Sequence, residues 1–251
     1  MKSSTSKPHL PYSNPLCVSR KTMNTKRNIK EIAPLLADDF VDLEESIFDT
    51  ELYAAFLTKN SYKLGIYKKY LICKLHDSWI INIINRNDSL QIELNDFSTY
   101  VFAHSIIDKF ELPIDTDHIS FPLTIELKGK LKIEYNKVDE IGNLIEIEPL
   151  KLDEYLYEQV SKIENDRIEI VFHFWKSNLN TDKPGERIIV IASAKDILLT
   201  ENQDKAWNEI LGNEYNDYYQ YFKEQFDSER YVSDHNECEK LITEFENRNK
   251  K

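Results

Sequence analysis

Leu123-Thr124-Ile125-Glu126-Leu127-Lys128-Gly129-Lys130-Leu131-Lys132-Ile133-Glu134-Tyr135 is the stretch on which the fold turns. Leu123, Ile125 and Leu127 alternate with Thr124, Glu126 and Lys128, and Leu131, Ile133 and Tyr135 repeat the alternation past Gly129. A period of two places all the apolar side chains on one face of an extended chain, the signature of half-buried strands. Lys128-Gly129-Lys130 between the runs predicts a tight antiparallel hairpin, with Glu126 across from Lys132 on the solvent face.

The same period extends over the block from Tyr62 to Leu150. Leu90, Ile92 and Leu94 alternate with Gln91 and Glu93, Asn87-Asp88 predicts a hairpin between 80–84 and 90–94, and Ile141-Gly142-Asn143 predicts a further turn. Leu152, Leu156 and Val160, four apart, predict a short helix. Residues 168–175 and 188–194 are apolar enough for central strands, joined by the polar loop 177–186 with Asp182-Lys183-Pro184-Gly185 as its turn. Toward the N-terminus, Leu36, Phe40, Leu43 and Ile47 form one helical stripe, and Leu52, Ala55 and Phe56 begin another. Two short helices are therefore expected, broken near Asp49-Thr50. Helices are also predicted over 203–226 and 234–247, the second opening on Asp234-His235-Asn236-Glu237 and carrying Cys238, Leu241, Ile242 and Phe245 on one side. The expected fold class is α+β. One domain spans 31–251, mainly antiparallel sheet (62–195) with N-terminal helices (31–60) and two C-terminal helices (203–247) packed on it.

Composition narrows the function classes. A chain of 251 residues with 41% hydrophobic and 30% charged residues describes a globular protein. No apolar run approaches the roughly 18 residues of a membrane span. Five glycines leave little room for phosphate-cradling loops, nucleophile elbows or dinucleotide fingerprints, and no cofactor is expected. The net charge of −12 divides unevenly: residues 1–30 carry seven basic side chains and no acid, leaving −19 for residues 31–251. An acidic body disfavours nucleic acid and favours a basic protein partner. Residues 1–30, with Pro8, Pro11 and Pro15, are expected to be a disordered basic tail or a start extended upstream of Met23. A targeting segment and a nucleic-acid arm are the other readings of that tail. Cys17, Cys73 and Cys238 form neither a disulfide framework nor a zinc pattern, and a cytoplasmic protein with reduced thiols is expected.

Asp115, or Asp117, precedes a run bearing Glu126-Leu127-Lys128. Metal-dependent nucleases place an acid before a strand with Glu-x-Lys, because alternate strand residues share a face and two carboxylates can hold Mg²⁺ beside a lysine. Asp115, Asp117 and Glu126 would be the metal ligands and Lys128 the catalytic cation. The competing explanation is the solvent face of a hairpin. His76-Asp77 is one adjacent pair, and His104, His118 and His173 lie at no ligand spacing, with His173 expected as a sheet histidine facing away from Phe172 and Phe174. No serine lies in a glycine-flanked elbow. Tyr215, Tyr218, Tyr219, Tyr221, Phe222, Phe226 and Tyr231 supply more rings than one core-facing helical stripe requires. With Asp217, Glu224 and Asp227, the set Tyr215, Tyr218, Tyr219, Tyr221 and Phe222 could form a partner-binding surface of aromatic anchors and an acidic rim. Alternatively, those rings cover the sheet.

Leu75-His76-Asp77-Ser78-Trp79-Ile80, followed by Asn87-Asp88 and the alternating run 90–94, resembles a segment of bacterial cytoplasmic β-rich proteins of unknown function in which a strand opens with Leu-His-Asp. The resemblance covers about residues 70–195 and implies a β-rich domain with no activity attached. The functional expectation is a non-enzymatic interaction protein, immunity- or inhibitor-like, engaging a basic protein partner. The alternative is a Mg²⁺-dependent nuclease or phosphohydrolase using Asp115, Glu126 and Lys128.

Overall fold

The computed structural model describes residues 27–37, 40–41, 47–71, 74–177, 185–227 and 234–249, and in it the two runs of the opening stretch are strands but not partners. Strand β1 (Ser78–Asn85) forms the expected hairpin with β2 (Ser89–Asn95), and β2 pairs with β3 (Pro122–Lys128). Strand β4 (Lys132–Val138) pairs instead with β5 (Leu144–Ile147) and with β8 (Glu186–Ala194). Strand β3 takes β9 (Asp196–Glu201) as its second neighbour. Glu126 therefore stands across from Gln91 and Leu198 rather than Lys132. The reason is geometric. Lys128 pairs with Asp196 and Lys132 with Ser193, while the Lys195 N–H donates to the Lys128 carbonyl at 2.8 Å. β3–β4 is one bent strand running beside a second bent strand, β8–β9. Gly129, at φ +83°, bends the first without reversing it, and a Cβ there would lie 2.9 Å from the Cβ of Lys195.

Strand β6 (Glu154–Glu164) and strand β7 (Arg167–Lys176) complete a nine-stranded antiparallel sheet, ordered β5-β4-β8-β7-β6-β1-β2-β3-β9. Because β8 and β9 are consecutive along the chain, the path from β8 through β7, β6, β1, β2 and β3 returns to its own continuation. The sheet is rolled, and its inner face is a single core. Leu90, Ile92, Leu123, Ile125, Ile170, Phe172, Ile188 and Val190 all belong to it. Residues 152–160, expected as a helix, lie mostly in β6. Two register shifts, at Tyr155/Tyr157 and Val160/Lys162, break the alternation there, so that Tyr155 and then Glu158, Gln159 and Val160 in succession are buried. The β6–β7 turn places Asn165 and Asp166 at φ +49° and +62°, as a tight hairpin requires.

The block 62–150 also hides helices. After α1 (Ile29–Ile32), α2 (Pro34–Ala37) and α3 (Thr50–Lys59) come α4 (Ser61–Leu64) and a 3₁₀ turn over Gly65–Tyr70. Helix α5 (Phe97–Lys109) lies within the block expected as sheet: it is buried on most sides and rich in β-branched and aromatic residues, which erases the amphipathic period. The break near Asp49-Thr50 is present: the Asp49 carboxylate accepts the Leu52 N–H at 2.9 Å as an N-cap. Leu43 and residues 178–184 lie outside the described residues. The helix expected over 203–226 is divided at Gly212, φ +86°, into α6 (Gln203–Ile210) and α7 (Asn216–Asp227). Helix α8 (His235–Asn249) opens as expected, with Asp234 accepting the Glu237 N–H.

Strands β7 and β8 are covered on both faces. Ile29, Ala33, Leu36 and Val41 pack on Val171, Ile189 and Ile191, with Phe40 over His173 at 4.7 Å between ring centroids. His173 thus lies on the face away from Phe172 and Phe174. The basic tail expected over 1–30 is therefore too long by at least four residues. Arg27 pairs with Glu134 and Glu169, Asn28 caps α1, and Ile29 is fully buried. No helix among the described residues is long and apolar enough to cross a membrane.

The roll is loosest between β1 and β6, which pair only at Ser78–Tyr155 and Trp79–Glu154. Helix α3 lies against β6, where the Val160 N–H donates to the Tyr53 hydroxyl at 2.9 Å. Beneath it, Tyr155 donates to the buried Glu158 at 2.7 Å. Burial raises the Glu158 carboxyl from 4.5 to about 8. The folded chain therefore holds a proton that the unfolded chain releases above about pH 4.5, and stability falls as pH rises through that window to about 8. Glu158→Gln should remove that slope, gaining roughly 3–5 kcal/mol over the parent at pH 9 relative to pH 4. Urea denaturation at the two pH values measures the difference, and equal slopes for parent and variant would refute it.

Candidate functional site

Five lysines (Lys59, Lys63, Lys68, Lys69 and Lys74) fall within residues 50–75 against the single acid Glu51. That segment is +4 inside a body of −19, leaving −23 on the rest of residues 31–251. Folding gathers three of these lysines around one groove of about 550 Å³. Helix α3 contributes Thr50, Ala54 and Leu57, at intervals of four and three that put them on one side, with Thr58 beside them. The 3₁₀ turn adds Gly65, Ile66, Lys68 and Lys69; Leu71 and Lys74 follow, and Asp227 closes the rim from the end of α7. Gly65, at φ +54°, lets the chain leave α4 and turn along the groove.

Leu57 and Leu71 are buried and form an apolar floor, whereas Ile66 is exposed at the edge. The ammonium groups are held at the rim by separate partners. Lys68 donates to the Thr58 hydroxyl at 3.3 Å, Lys74 to the Phe226 carbonyl at 2.6 Å, and Lys69 to Asp227 at 3.1 Å. Lys74 also lies 4.6 Å from the centre of the Phe226 ring. The Lys69–Asp227 pair is half exposed and contributes little to stability. An apolar floor beneath donor groups suits an amphipathic anion: the floor takes the hydrocarbon, and the ammonium and hydroxyl groups take the charge.

The residues singled out from sequence fall elsewhere. Asp115 and Asp117 sit in an exposed 3₁₀ turn, where the Asp115 carboxylate accepts the Asp117 N–H at 3.1 Å. Glu126 and Lys128 share the outer face of β3 and pair with each other at 2.9 Å. Asp115, Asp117 and Glu126 are not drawn together: among the described residues, one group of three or more potential metal ligands converges, and it contains none of them. The expected nuclease centre is therefore not assembled, because its strand residues lie on an outer polar ladder with Gln91 and Thr124. His76 pairs with Asp77 at 2.7 Å and packs on Tyr157, and among the described residues the pair belongs to no group of three potential ligands.

The aromatic surface expected on α7 is largely interior. Tyr219, Tyr221, Phe222 and Phe226 are buried, and Tyr215 and Tyr218 are half-buried against Phe110. Tyr219 stacks on Trp207 at 4.5 Å and Phe222 on Phe102 at 4.6 Å. Two ring stripes arise because α7 lies between two partners, the rolled sheet with α5 and α6 on one side and α8 on the other, where Tyr221 meets Phe245. Asp217, Glu224 and Asp227 remain exposed, and Tyr231 lies outside the described residues. Sequence averaging hid the lysine groove, since a body charge of −19 conceals a +4 segment within it.

The packing of these rings has a measurable consequence. Tyr219→Ala should cost about 3–5 kcal/mol, whereas Asp217→Ala and Glu224→Ala should each stay within about 0.5 kcal/mol. Chemical denaturation of the three variants checks this, and a neutral Tyr219→Ala would return the ring to the surface.

Comparison of the chain with protein-family models, curated proteins and solved structures gives no match.

Proposed function

We propose that this chain is a binding protein for an amphipathic anion, seated in the groove between α3 and the 65–74 segment. The observation that carries this is the coincidence of an apolar floor with three ammonium groups at its rim in a protein of net charge −12. The rest of residues 31–251, at −23, repels anions, so within that body the groove favours a negative head group. The ligand class is a hydrocarbon chain or ring system ending in carboxylate or phosphate. The basic-partner expectation keeps its charge argument, but the buried rings of α7 no longer supply its anchors.

Dodecanoate and dodecanol, titrated below their aggregation limits and followed by calorimetry, separate the head-group contribution from the hydrocarbon one. Dodecanoate should bind one site, and the alcohol at least about tenfold more weakly. Lys68→Glu and Ile66→Asp should each weaken dodecanoate by a similar factor, and raising salt should weaken it further. Equal affinity for acid and alcohol, or no saturable binding of either, would overturn the proposal.

A further inference from the structure

Helix α5 places His104 and Asp108 one turn apart on the same side, with His104 Nδ1 and Asp108 Oδ2 3.0 Å apart. A pair of this kind is by itself an ordinary surface feature. What distinguishes this one is a third group from a distant part of the chain. His235, in the first turn of α8, brings its ring centroid to 5.1 Å from that of His104, edge to face. One ligand atom from each of His104, Asp108 and His235 lies within 4.8 Å of the other two. Metal–ligand bonds of ~2.1 Å in a tetrahedral site place ligand atoms ~3.4 Å apart, so small side-chain rotations close the gap.

The imidazole of His235 is set for this role. Its Nδ1 lies 2.8 Å from the Oγ of Ser105, and Ser105 is buried between α5 and α8. The Ser105 hydroxyl donates its own proton to the Val101 carbonyl at 3.0 Å. The hydroxyl oxygen is thus left to accept, which assigns the His235 proton to Nδ1 and the lone pair to Nε2. An oxygen that accepts the far N–H of a histidine is the usual support for a metal-bound imidazole. Beside the group lies a cavity of about 330 Å³ lined by Ser105, Asp108, Lys109, His235 and Glu239. The Lys109 ammonium is engaged by Glu246 at 3.0 Å, which draws its charge toward a carboxylate.

We propose that His104, Asp108 and His235 form a binding site for a divalent transition-metal ion of the zinc class, pinning the start of α8 to α5. Two imidazoles and one carboxylate are borderline ligands that favour Zn²⁺ over Mg²⁺ or Ca²⁺, which take oxygen sets. The ion replaces the proton between His104 and Asp108, and water from the adjoining cavity completes the coordination. The site was invisible in the sequence because His104 and His235 are 131 positions apart and only the packing of α5 on α8 joins them.

The test uses the full chain without an affinity tag, titrated with ZnCl₂ by calorimetry and with Co²⁺ by visible absorption. One equivalent should bind, and saturating Zn²⁺ should raise the melting temperature, reversibly with EDTA. His235→Ala and Asp108→Asn should each lower affinity at least about tenfold, and Ser105→Ala about tenfold through the lost support of His235. His76→Ala and His118→Ala should leave affinity and stoichiometry as in the parent. Melting in EDTA checks that each variant folds; should His235→Ala fail, Asp108→Asn on the exposed side of α5 carries the test. Absence of binding, retention of parent affinity in the ligand variants, or loss of the site in His118→Ala would overturn the assignment.

Discussion

The matched bend in two long strands is the constraint on which the rest of the molecule depends. β3–β4 and β8–β9 run side by side and turn together where Gly129 passes Lys195. Without that bend, β8 would end the sheet with an unsatisfied edge, although Ile188, Ile189, Val190, Ile191 and Ala192 are among the most buried residues in the chain. With it, β8 has β4 on one side and β7 on the other, and the sheet curls back onto β9. A side chain at position 129 would have to enter space held by Lys195 and would also meet an unfavourable φ. The polar ladder on the outer face of β3, the interior core and the position of α7 all follow from the roll.

Local pattern revealed the elements more readily than their pairing. The alternations at 90–94 and 123–135 and the apolar runs at 168–175 and 188–194 identify real strands, because a half-buried or central strand writes its environment into consecutive residues. Which strands become neighbours is a different matter: Lys128-Gly129-Lys130 is equally good chemistry for a reversal or a bend, and the choice is made by β8, some sixty residues later. Two elements hide their type in the sequence for related reasons. Helix α5 is buried on most sides and so shows no polar stripe, while the bulges in β6 slide its inward positions out of phase. Of the candidate site, the excess of lysine at 50–75 stands in the sequence, but the floor of Leu57 and Leu71 beneath it exists only once α3 lies against the 65–71 segment.

Charge and burial are segregated in the same way. The N-terminal helices 29–37 cover one face of the sheet, and the lysine-bearing segment 50–74 lies against β9 and, through Tyr53 and Val160, against β6. The buried Tyr155–Glu158 pair lies beneath that segment, and the groove lies on its outside. Helix α7 reaches the groove through Phe226 and Asp227 and packs along its length on α8, where Tyr218 and Tyr221 meet Phe245 and Cys238, Leu241 and Ile242 are buried.

The return of β9 to β3 also bears on how the chain reaches this state. Contacts such as Lys128 with Asp196 join segments separated by five intervening strands, so a long loop must close before the contact gives anything back. Hairpins β1–β2 and β6–β7 are local and form early at small entropic cost, while the ring itself is assembled late from parts already made. A protein wound in this manner folds slowly for its size, and its half-made forms expose strand edges to their neighbours in solution.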